Sequence, residues 1–568
     1  MTVAWGNCFE FINPLSINAM IPQSDPSQLT PSVDRRSFIR TFSGLSAVAA
    51  GATGLSLTPS TASAIPIGPL SGSQRRALAH ALRDEAADYQ LKRQVQTHPA
   101  NQDDTIYPNF IGSFTKALPH NALGEVIPIA YNAMRTALGN GTQASFNAIP
   151  LGGTVKLANP QAAYSYTLEG ADAHVHGIPA APALNSAWCA GEMTELYWRA
   201  WTRDIPFTDY GSNINIAAAA QDLSLLSDFR GPKSFGSVTT ETLFRGPTAG
   251  DLAGPMISQF LYKDIPFGAT KIVQRYRSTV SWENHMTNFG HWLAVQNGAA
   301  APTVASFDPT PRYIANGRDL AEYVHVDFSY QAFLSAALIL LGFGGAALDD
   351  DNPYKSIANQ GGFATFGGPM ILDLVARAGI AGLKAAWYQK WLVHRRLRPE
   401  AYAGLVHIHV TGAKAYPLHA DVLNSAVLPL IKDVYGTSLL PMAYPEGAPT
   451  HPSYPAGHAT IAGACVTVLK AFFKESFVIA SPVQADANGL NLVPYAGTLT
   501  VGGELDKLAS NISFGRDTGG VHWRSDGIEG MKLGEEVAIQ MLRDHKLLNN
   551  ESFSGFRFTR FDGTTFVI

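Results

Sequence analysis

The apolar segment at residues 328–348, FSYQAFLSAALILLGFGGAAL, constrains the fold of this 568-residue chain more than any other feature. A run of this length can span a membrane. However, Gln331 and the Gly344–Gly345 pair interrupt it, and an aspartate run follows it directly. These features favour a buried helix inside a large helical core, so we predict no membrane association. With 46% hydrophobic residues, the chain can supply a core of that size.

Helical periodicity recurs along the chain, and the strand–helix alternation of parallel α/β proteins is not found. We therefore predict an all-α architecture with few short strands. Helices are predicted within residues 71–96, 105–131, 186–201, 317–348 (two pieces), 367–397 (one helix or two), 425–435, 458–473 and 521–544. Residues 239–262 carry Gly and Pro at short intervals, which predicts a surface loop, and the tail at 553–568 is expected to form a small hairpin.

The charge balance excludes several kinds of partner. Lys and Arg total 41 and Asp and Glu total 45, so the formal net charge of −4 draws the chain neither to nucleic acid nor to an anionic membrane. Charged residues make up 15% of the chain, against about 25% in an average globular protein. Much of the surface is therefore expected to be covered, in a large core or in contacts between subunits.

The cysteine content is too low for a disulfide framework, because the chain has only 3 cysteines. Cys189 and Cys465 either pair in an oxidising compartment or remain as buried thiols. Isolated cysteines favour the second alternative.

Residues 1–64 are typical of an N-terminal extension with an export signal. Residues 34–40 read DRRSFIR, a weakly apolar stretch covers 42–57, and Ala62-Ser63-Ala64 matches a small-x-small cleavage site. A twin-arginine pair before a mild apolar region is typical of the route that exports folded proteins. We predict export to the periplasm or the extracellular space. The alternative is a disordered tail with a chance Arg-Arg pair.

The first of three chemical motifs is KWLVHRRLRPE, from Lys390 to Glu400. Lys390, His394 and Arg398 follow one another at intervals of four residues, which predicts one face of a helix. Pro399 is expected to stop that helix. Clustered cations repel one another unless an anion lies among them. The motif therefore indicates either an anion site or a solvated basic helix end.

The second motif is HPSYPAGHA, from His451 to Ala459. Its prolines and glycine predict a rigid loop, after which His458 opens a helix. Backbone N–H groups at a helix start point at an anion. His451 and His458 stand on either side of the loop, where each either faces the anion or serves as a structural residue.

The third motif is GRDTGGVHWRSD, in which Arg516 precedes a Gly-Gly turn and His522 follows it. Asp526 is four residues after His522, so its carboxylate can accept from one imidazole nitrogen and make the other a better nucleophile or metal ligand. Together the motifs supply a lysine, arginines, backbone amides and two histidines. That set suits a tetrahedral oxyanion.

In this order and at these spacings, the motifs resemble those of the type 2 phosphatidic acid phosphatase superfamily, which includes the vanadium-dependent haloperoxidases. HRRLRPE and HPSYPAGH are similar to the algal and cyanobacterial bromoperoxidases in particular. Segments such as ALNSAWCAGEMTELYWRAW extend the resemblance over about residues 168–533. It implies an all-helical fold of two four-helix-bundle-like halves. The chain would then consist of an N-terminal helical region at 65–316 and a vanadate-binding bundle region at 317–568.

The resemblance also implies a role for each site residue. Four groups would hold vanadate oxygens, namely Lys390, Arg398, Arg516 and the backbone N–H of Gly457. His522 would be the single protein ligand to vanadium. His458 would move protons, Lys390 would also polarise the peroxide, and His451 would tune the halide site. The implied reaction is oxidation of bromide and iodide by hydrogen peroxide to a hypohalous-acid equivalent that halogenates organic acceptors, in a homo-oligomer.

Two departures from the family pattern and two rival functions remain open. Many relatives have a serine that contacts the oxyanion where this chain has Ala456, and the phosphatases tend to have a serine in place of Gly515. Both changes put the affinity for vanadate in question. A secreted acid phosphatase would use the same cations, with His522 forming a phospho-histidine. A non-catalytic helical protein with a degenerate site is the other rival.

Three further groups suggest metal sites only weakly. His174 and His176 lie in a loop. Glu192 and Glu195 are three residues apart on a predicted helix, without the histidine that a di-metal bundle requires. The run at 349–351 offers three aspartates that either bind calcium or form a solvated loop.

Overall fold

A computed structural model describes residues 69–568, and helices dominate their fold. The α-helices are α1 (Gly72–Lys92), α2 (Asp103–Ile106), α3 (Pro128–Asn140), α4 (Gln143–Asn147), α5 (Ala187–Trp201), α6 (Ile214–Leu225), α7 (Ala249–Leu252), α8 (Phe289–Gln296), α9 (Gly317–Val326), α10 (Gln331–Gly342), α11 (Gly368–Tyr388), α12 (Pro399–Val410), α13 (Ala420–Leu423), α14 (Val427–Tyr435), α15 (Gly457–Phe472), α16 (Val501–Thr518) and α17 (Arg524–Lys546). The predicted all-α class is confirmed. The predicted export signal and the third cysteine, Cys8, lie outside the described residues.

The strands are short and form antiparallel pairs. They are β1 (Ile265–Phe267) with β2 (Thr270–Ile272), β3 (Val483–Ala485) with β4 (Leu492–Pro494), and β5 (Arg557–Thr559) with β6 (Thr565–Val567). In the last pair Phe558 lies opposite Phe566, which confirms the hairpin predicted for the tail.

Helices α11, α15, α16 and α17 pack together as a C-terminal four-helix bundle. Small residues allow α15 and α17 to approach closely. A side chain at Gly534 would lie 2.0 Å from the carbonyl oxygen of Thr460, and one at Gly463 would lie 2.0 Å from that of Met531. The backbones are therefore in direct contact, which fixes how the start of α15 faces the start of α17.

The second helical group surrounds α5 and draws its members from both halves of the sequence. Helix α6 packs on α5 from the N-terminal side, and α12, α13 and α14 pack on it from beyond residue 317. The described residues, 69–568, belong to one compact unit. Both large apolar cores contain residues from 65–316 and from 317–568, and the boundary between these two predicted regions stays a prediction.

The apolar segment at 328–348 forms α10, whose apolar side chains are largely buried, as predicted. Among the described residues no single helix is long and apolar enough to cross a membrane. Helices α9 and α10 meet the criterion only as a pair, and they are bent by 100° relative to each other.

One local prediction is wrong, and one helix is absent from the prediction. Residues 239–262 do not lie on the surface, since Ile257, Phe260 and Leu261 are fully buried. Helix α16 was not predicted at all, because it is buried on every side and shows no one-sided apolar pattern. Cys189 and Cys465 are both buried free thiols, which resolves the alternative left open by the sequence.

Candidate active site

The first motif folds differently from the single helix predicted for it. Helix α11 ends at Tyr388, a π-helical turn covers Gln389–His394, and Arg395 takes left-handed backbone angles with φ of 43°. Pro399 does not stop a helix but is the first residue of α12. Proline is favourable at this position because the first N–H groups of a helix have no partner within the helix, so the N–H that proline lacks is not needed. Arg398 caps that second helix, so Lys390 and Arg398 reach the same site from two helices.

Lys390 and Arg398 are both buried and bind the loop of the second motif. The Nζ of Lys390 donates to the carbonyl oxygens of Pro452 at 2.8 Å and Ser453 at 2.7 Å. Arg398 donates from Nε to the carbonyl oxygen of His451 at 3.0 Å and from Nη2 to His451 Nδ1 at 2.9 Å. These contacts fix the loop that leads into α15.

The second motif places a helix start and two histidines beside these cations. Gly457 is the first residue of α15, and a side chain added there would meet only Leu383 and Trp387, at 3.4 and 3.5 Å. His458 follows it, and its Nε2 donates to Asp327 Oδ1 at 3.0 Å. Nδ1 is then the nitrogen of His458 that remains available for proton exchange.

The third motif lies across the end of α16 and the start of α17. Arg516 is in the last turn of α16, where it donates to the carbonyl oxygen of Val324 at 2.8 Å. His522 precedes α17, and its Nδ1 lies 2.8 Å from Asp526 Oδ2. Its Nε2 accepts from Arg398 Nη1 at 3.0 Å. The predicted His–Asp pair therefore forms, with Nε2 facing the cations.

The cations of this cluster outnumber the anions. Burial and the charges of Arg398 and Arg516 hold the pKa of Lys390 well below its usual value, and Asp526 opposes that shift. Burial also lowers the pKa of Arg398 to about 9. The Nε of Arg516 is buried and has no hydrogen-bond partner within the described part of the chain. The residues therefore fit a multiply charged oxyanion such as vanadate or phosphate, which would balance the charge and accept the remaining hydrogen bonds.

Both inner histidines are neutral in this environment. Burial and the charges of Arg398 and Lys390 hold the pKa of His522 well below its usual value, and the same causes act on His451. A neutral His522 has the lone pair that a metal ligand requires. His451 therefore does not change charge in the range of about pH 5 to 8 that is usual for an imidazole, because burial and the neighbouring cations disfavour its protonation.

Other basic and acidic groups that the sequence suggested lie outside this cluster. His394 is buried against Tyr454, and burial lowers its pKa to about 3, so it does not add a cation. His174 is paired with Asp172 at 2.7 Å. Asp350 accepts from Lys355 and Lys474, each at 2.7 Å. Within residues 69–568 no group of three or more potential metal-binding side chains is found, and the calcium prediction stays a prediction.

Sequence reasoning did not find several residues that support the site. Asp327 holds His458, Trp387 packs against His451 at 4.7 Å between ring centres, and the Ser453 hydroxyl donates to Asp526. Arg516 also lies 5.3 Å from the ring centre of Tyr444. Asp327, Trp387 and Tyr444 lie outside the three motifs, so no local signal was available for them, whereas Ser453 lies inside the second motif.

A family model for the second helical-bundle domain of VCPO matches residues 374–551, a range that contains Lys390, Arg398, Arg516 and the three histidines of the site. The chain is 34% identical to the vanadium-dependent bromoperoxidase of Corallina pilulifera, over 88% of this chain and 100% of that protein. The chain belongs to the vanadium-dependent bromoperoxidase family.

Two proteins of Ascophyllum nodosum extend the comparison. The chain is 34% identical to a vanadium-dependent bromoperoxidase of this organism, over 87% of this chain and 92% of that protein. The homohexameric structure of the second vanadate-dependent bromoperoxidase of Ascophyllum nodosum matches with a TM-score of 0.83 and 30% identity, over 92% of this chain and 95% of the other. The bromoperoxidase fold therefore covers the described residues almost completely.

Proposed function

We propose that this protein is a vanadate-dependent bromoperoxidase that oxidises bromide and iodide with hydrogen peroxide and so halogenates organic acceptors. The main support for the proposal is the buried cluster of Lys390, Arg398 and Arg516 around Nε2 of the neutral His522 ring. Such a cluster needs an anion, and a neutral imidazole directed at that anion suits a covalent link to its metal.

Each residue of the cluster has a proposed task. Lys390, Arg398, Arg516 and the backbone N–H of Gly457 would bind the vanadate oxygens, and His522 Nε2 would bind vanadium. Bound vanadate supplies a Lewis acid that makes peroxide oxygen electrophilic toward bromide. The positive charge of Lys390 would strengthen that polarisation. His451, packed on Trp387, would shape the approach of the halide.

Proton supply would fall to His458. In the overall reaction, hydrogen peroxide, bromide and one proton give hypobromous acid and water, so bromide loses two electrons and peroxide gains them. The reaction therefore consumes a proton at each turnover. The contact of Nε2 with Asp327 orients the ring and leaves Nδ1 to deliver that proton.

The test is a bromide-and-peroxide assay with a phenolic dye on protein from which vanadate has been removed. We expect no bromination without vanadate and full activity after orthovanadate is added. A His522→Ala variant should stay inactive under both conditions. Release of phosphate from a phosphomonoester, inhibited by orthovanadate and without bromination, would instead identify the acid phosphatase.

The oligomeric state and the cellular location of the protein are proposed on separate grounds. A homo-oligomer is supported by the low charge content of 15% and by the homohexameric state of the related Ascophyllum nodosum structure. Light scattering that detects only monomers at micromolar concentration would contradict it.

Export to the periplasm or beyond is supported by the twin-arginine segment at 34–40. Replacing Arg35 and Arg36 by lysine should then retain the protein in the cytoplasm.

A further inference from the structure

Glu192 is a fully buried carboxylate on α5, far from the oxyanion motifs in sequence. Glu192 and Glu195 do not form a metal site together, because each carboxylate is already paired with arginine. Glu192 accepts from Arg396 Nη2 at 3.0 Å, from the backbone N–H of Ser525 at 2.7 Å and from the Ser525 hydroxyl at 2.9 Å. The indole N–H of Trp188 also donates to it, at 3.2 Å.

Arg396 connects this carboxylate to the proposed vanadium ligand. Its Nη1 donates to Asp526 Oδ1 and to the Ser525 hydroxyl, each at 2.8 Å. The other oxygen of Asp526 accepts from His522 Nδ1 at 2.8 Å. A continuous buried chain of hydrogen bonds therefore runs from Glu192 through Arg396 and Asp526 to His522.

The orientation of Asp526 depends on what holds its Oδ1. Oδ2 already accepts from His522, from the backbone N–H of Trp523 at 3.1 Å and from the Ser453 hydroxyl. Within the described part of the chain, Arg396 is the side chain that holds Oδ1. Its planar guanidinium is shared between two carboxylates, and without Glu192 it would pair with Asp526 alone and draw that carboxylate away from His522.

We infer that Glu192 is a positioning residue for His522. Through Arg396 it sets the plane of the Asp526 carboxylate, which keeps the proton on Nδ1 of His522 and directs Nε2 at the oxyanion cluster. This inference rests on the proposed function, in which Nε2 binds vanadium. It gives α5, from the N-terminal part of the chain, a part in assembling a site whose oxyanion-binding residues all follow residue 389 in the sequence.

Glu192→Gln tests the inference. The glutamine has the same size, but its amide can place N–H groups against the N–H groups of Arg396. We expect apoenzyme titrated with orthovanadate in a calorimeter to bind about 10- to 100-fold more weakly, the usual effect of losing a partner that orients a metal ligand. The ⁵¹V resonance of the bound vanadate should also shift, because the geometry at Nε2 changes.

Glu195→Gln is the matched control. Glu195 lies one turn along α5 and is equally buried, but it pairs with Arg524 at 2.7 Å and Arg199 at 2.9 Å. It has no direct bond to Arg396 or Asp526, so its loss should change vanadate affinity by less than about threefold and leave the ⁵¹V shift unchanged. Equal losses of affinity in the two variants, with unshifted resonances, would mean that Glu192 is only structural.

A milder pair of variants covers the case in which Glu192→Gln does not fold. Ser525→Ala removes one hydroxyl that joins Glu192 to Arg396, whereas Ser513→Ala removes a buried hydroxyl without a hydrogen-bond partner among residues 69–568. Only the first should weaken vanadate binding, by about threefold or more. Wild-type protein that binds no vanadate would overturn the proposed function and this inference together. Wild-type binding that neither Glu192→Gln nor Ser525→Ala weakens would overturn this inference alone.

Discussion

His458 and Asp327 form a hydrogen-bonded pair across 131 residues of sequence, with Nε2 of the imidazole 3.0 Å from Oδ1 of the carboxylate. Asp327 caps the C-terminal end of α9 and is almost fully buried, whereas His458 opens α15 and is about one quarter exposed. The side chain that is proposed to supply protons during turnover is therefore anchored by one that water hardly reaches.

This pair predicts a loss of turnover in Asp327→Ala. Without the carboxylate the His458 ring is free to rotate, so kcat for bromide oxidation should fall by about tenfold or more, since positioned proton transfer contributes 10²- to 10⁴-fold. The affinity for orthovanadate should change little. Asp327→Asn keeps an oxygen acceptor and should recover part of the rate. Unchanged kcat in both variants would remove Asp327 from the mechanism.

The cation cluster predicts a loss of vanadate binding when any of its members is truncated. Arg398→Ala and Arg516→Ala should each weaken binding by about 2–4 kcal/mol, the range for removing one partner of a buried charged contact. His522→Ala should abolish vanadium-dependent turnover. Lys384→Ala, on α11 but with its Nζ on the carbonyl oxygen of Tyr166, is the control and should bind normally. Full bromide oxidation by His522→Ala would refute the site.

Ala456→Ser is expected to stabilise either the helix or the bound anion. Ala456 is the N-cap residue of α15 and has no side-chain cap. A serine hydroxyl there can cap the helix, which is worth about 1 kcal/mol of unfolding free energy. Alternatively it can donate to a vanadate oxygen, which is worth about 1.5–3 kcal/mol of binding. Thermal unfolding and vanadate titration distinguish the two. If neither the thermal stability nor the vanadate affinity changes, the oxyanion does not lie beside Ala456.

His451→Phe is expected to raise chloride activity relative to bromide. The variant replaces a polar ring that accepts from Arg398 by an apolar one against Trp387, which should make the halide pocket drier. Because the pKa of His451 lies well below its usual value, the effect should be nearly the same between about pH 5 and 8. The measurement is the chloride-to-bromide ratio of kcat/KM across that range. An equal fall in both activities would mean that His451 only braces Arg398.

His394 is predicted to make the protein sensitive to acid. Its folded pKa of about 3 is below the unfolded value of 6.5, so the unfolded chain takes up the proton first as the pH falls. The unfolding free energy is therefore unaffected by His394 above pH 6.5 and decreases as the pH falls from 6.5 toward 3. By linkage the loss at pH 5 is about 2 kcal/mol.

His394→Phe should remove this loss and keep the packing against Tyr454. Urea unfolding at pH 5 and pH 8 should therefore show a smaller difference in unfolding free energy for the variant than for the wild type, by about 2 kcal/mol. His291→Phe, at an exposed position on α8, is the control and should leave the difference in unfolding free energy between pH 5 and pH 8 unchanged. The same pH dependence in His394→Phe and the wild type would show that His394 is not the group responsible.

The sequence by itself singled out the charged residues and the histidine that the structure brings together in the cluster. Lys390, Arg398, Arg516 and His522 were identified because positive charge, a helix start after a Gly-containing loop, and a His–Asp interval of four residues are local properties. The all-helical class also followed from local periodicity. Helix α16 was missed for the opposite reason, since a helix that is buried on every side has no polar face to reveal it.

Only the tertiary structure decided which distant groups support those residues. Nothing in the sequence pairs Asp327 with His458, or Glu192 with Arg396, 204 residues further on. The protonation of His451 was likewise decided by packing, because its pKa depends on burial and on the cations that other elements bring to it. Spacing determines which side chains share one turn of helix, whereas electrostatic energies depend on distances in space, and those exist only after the chain has folded.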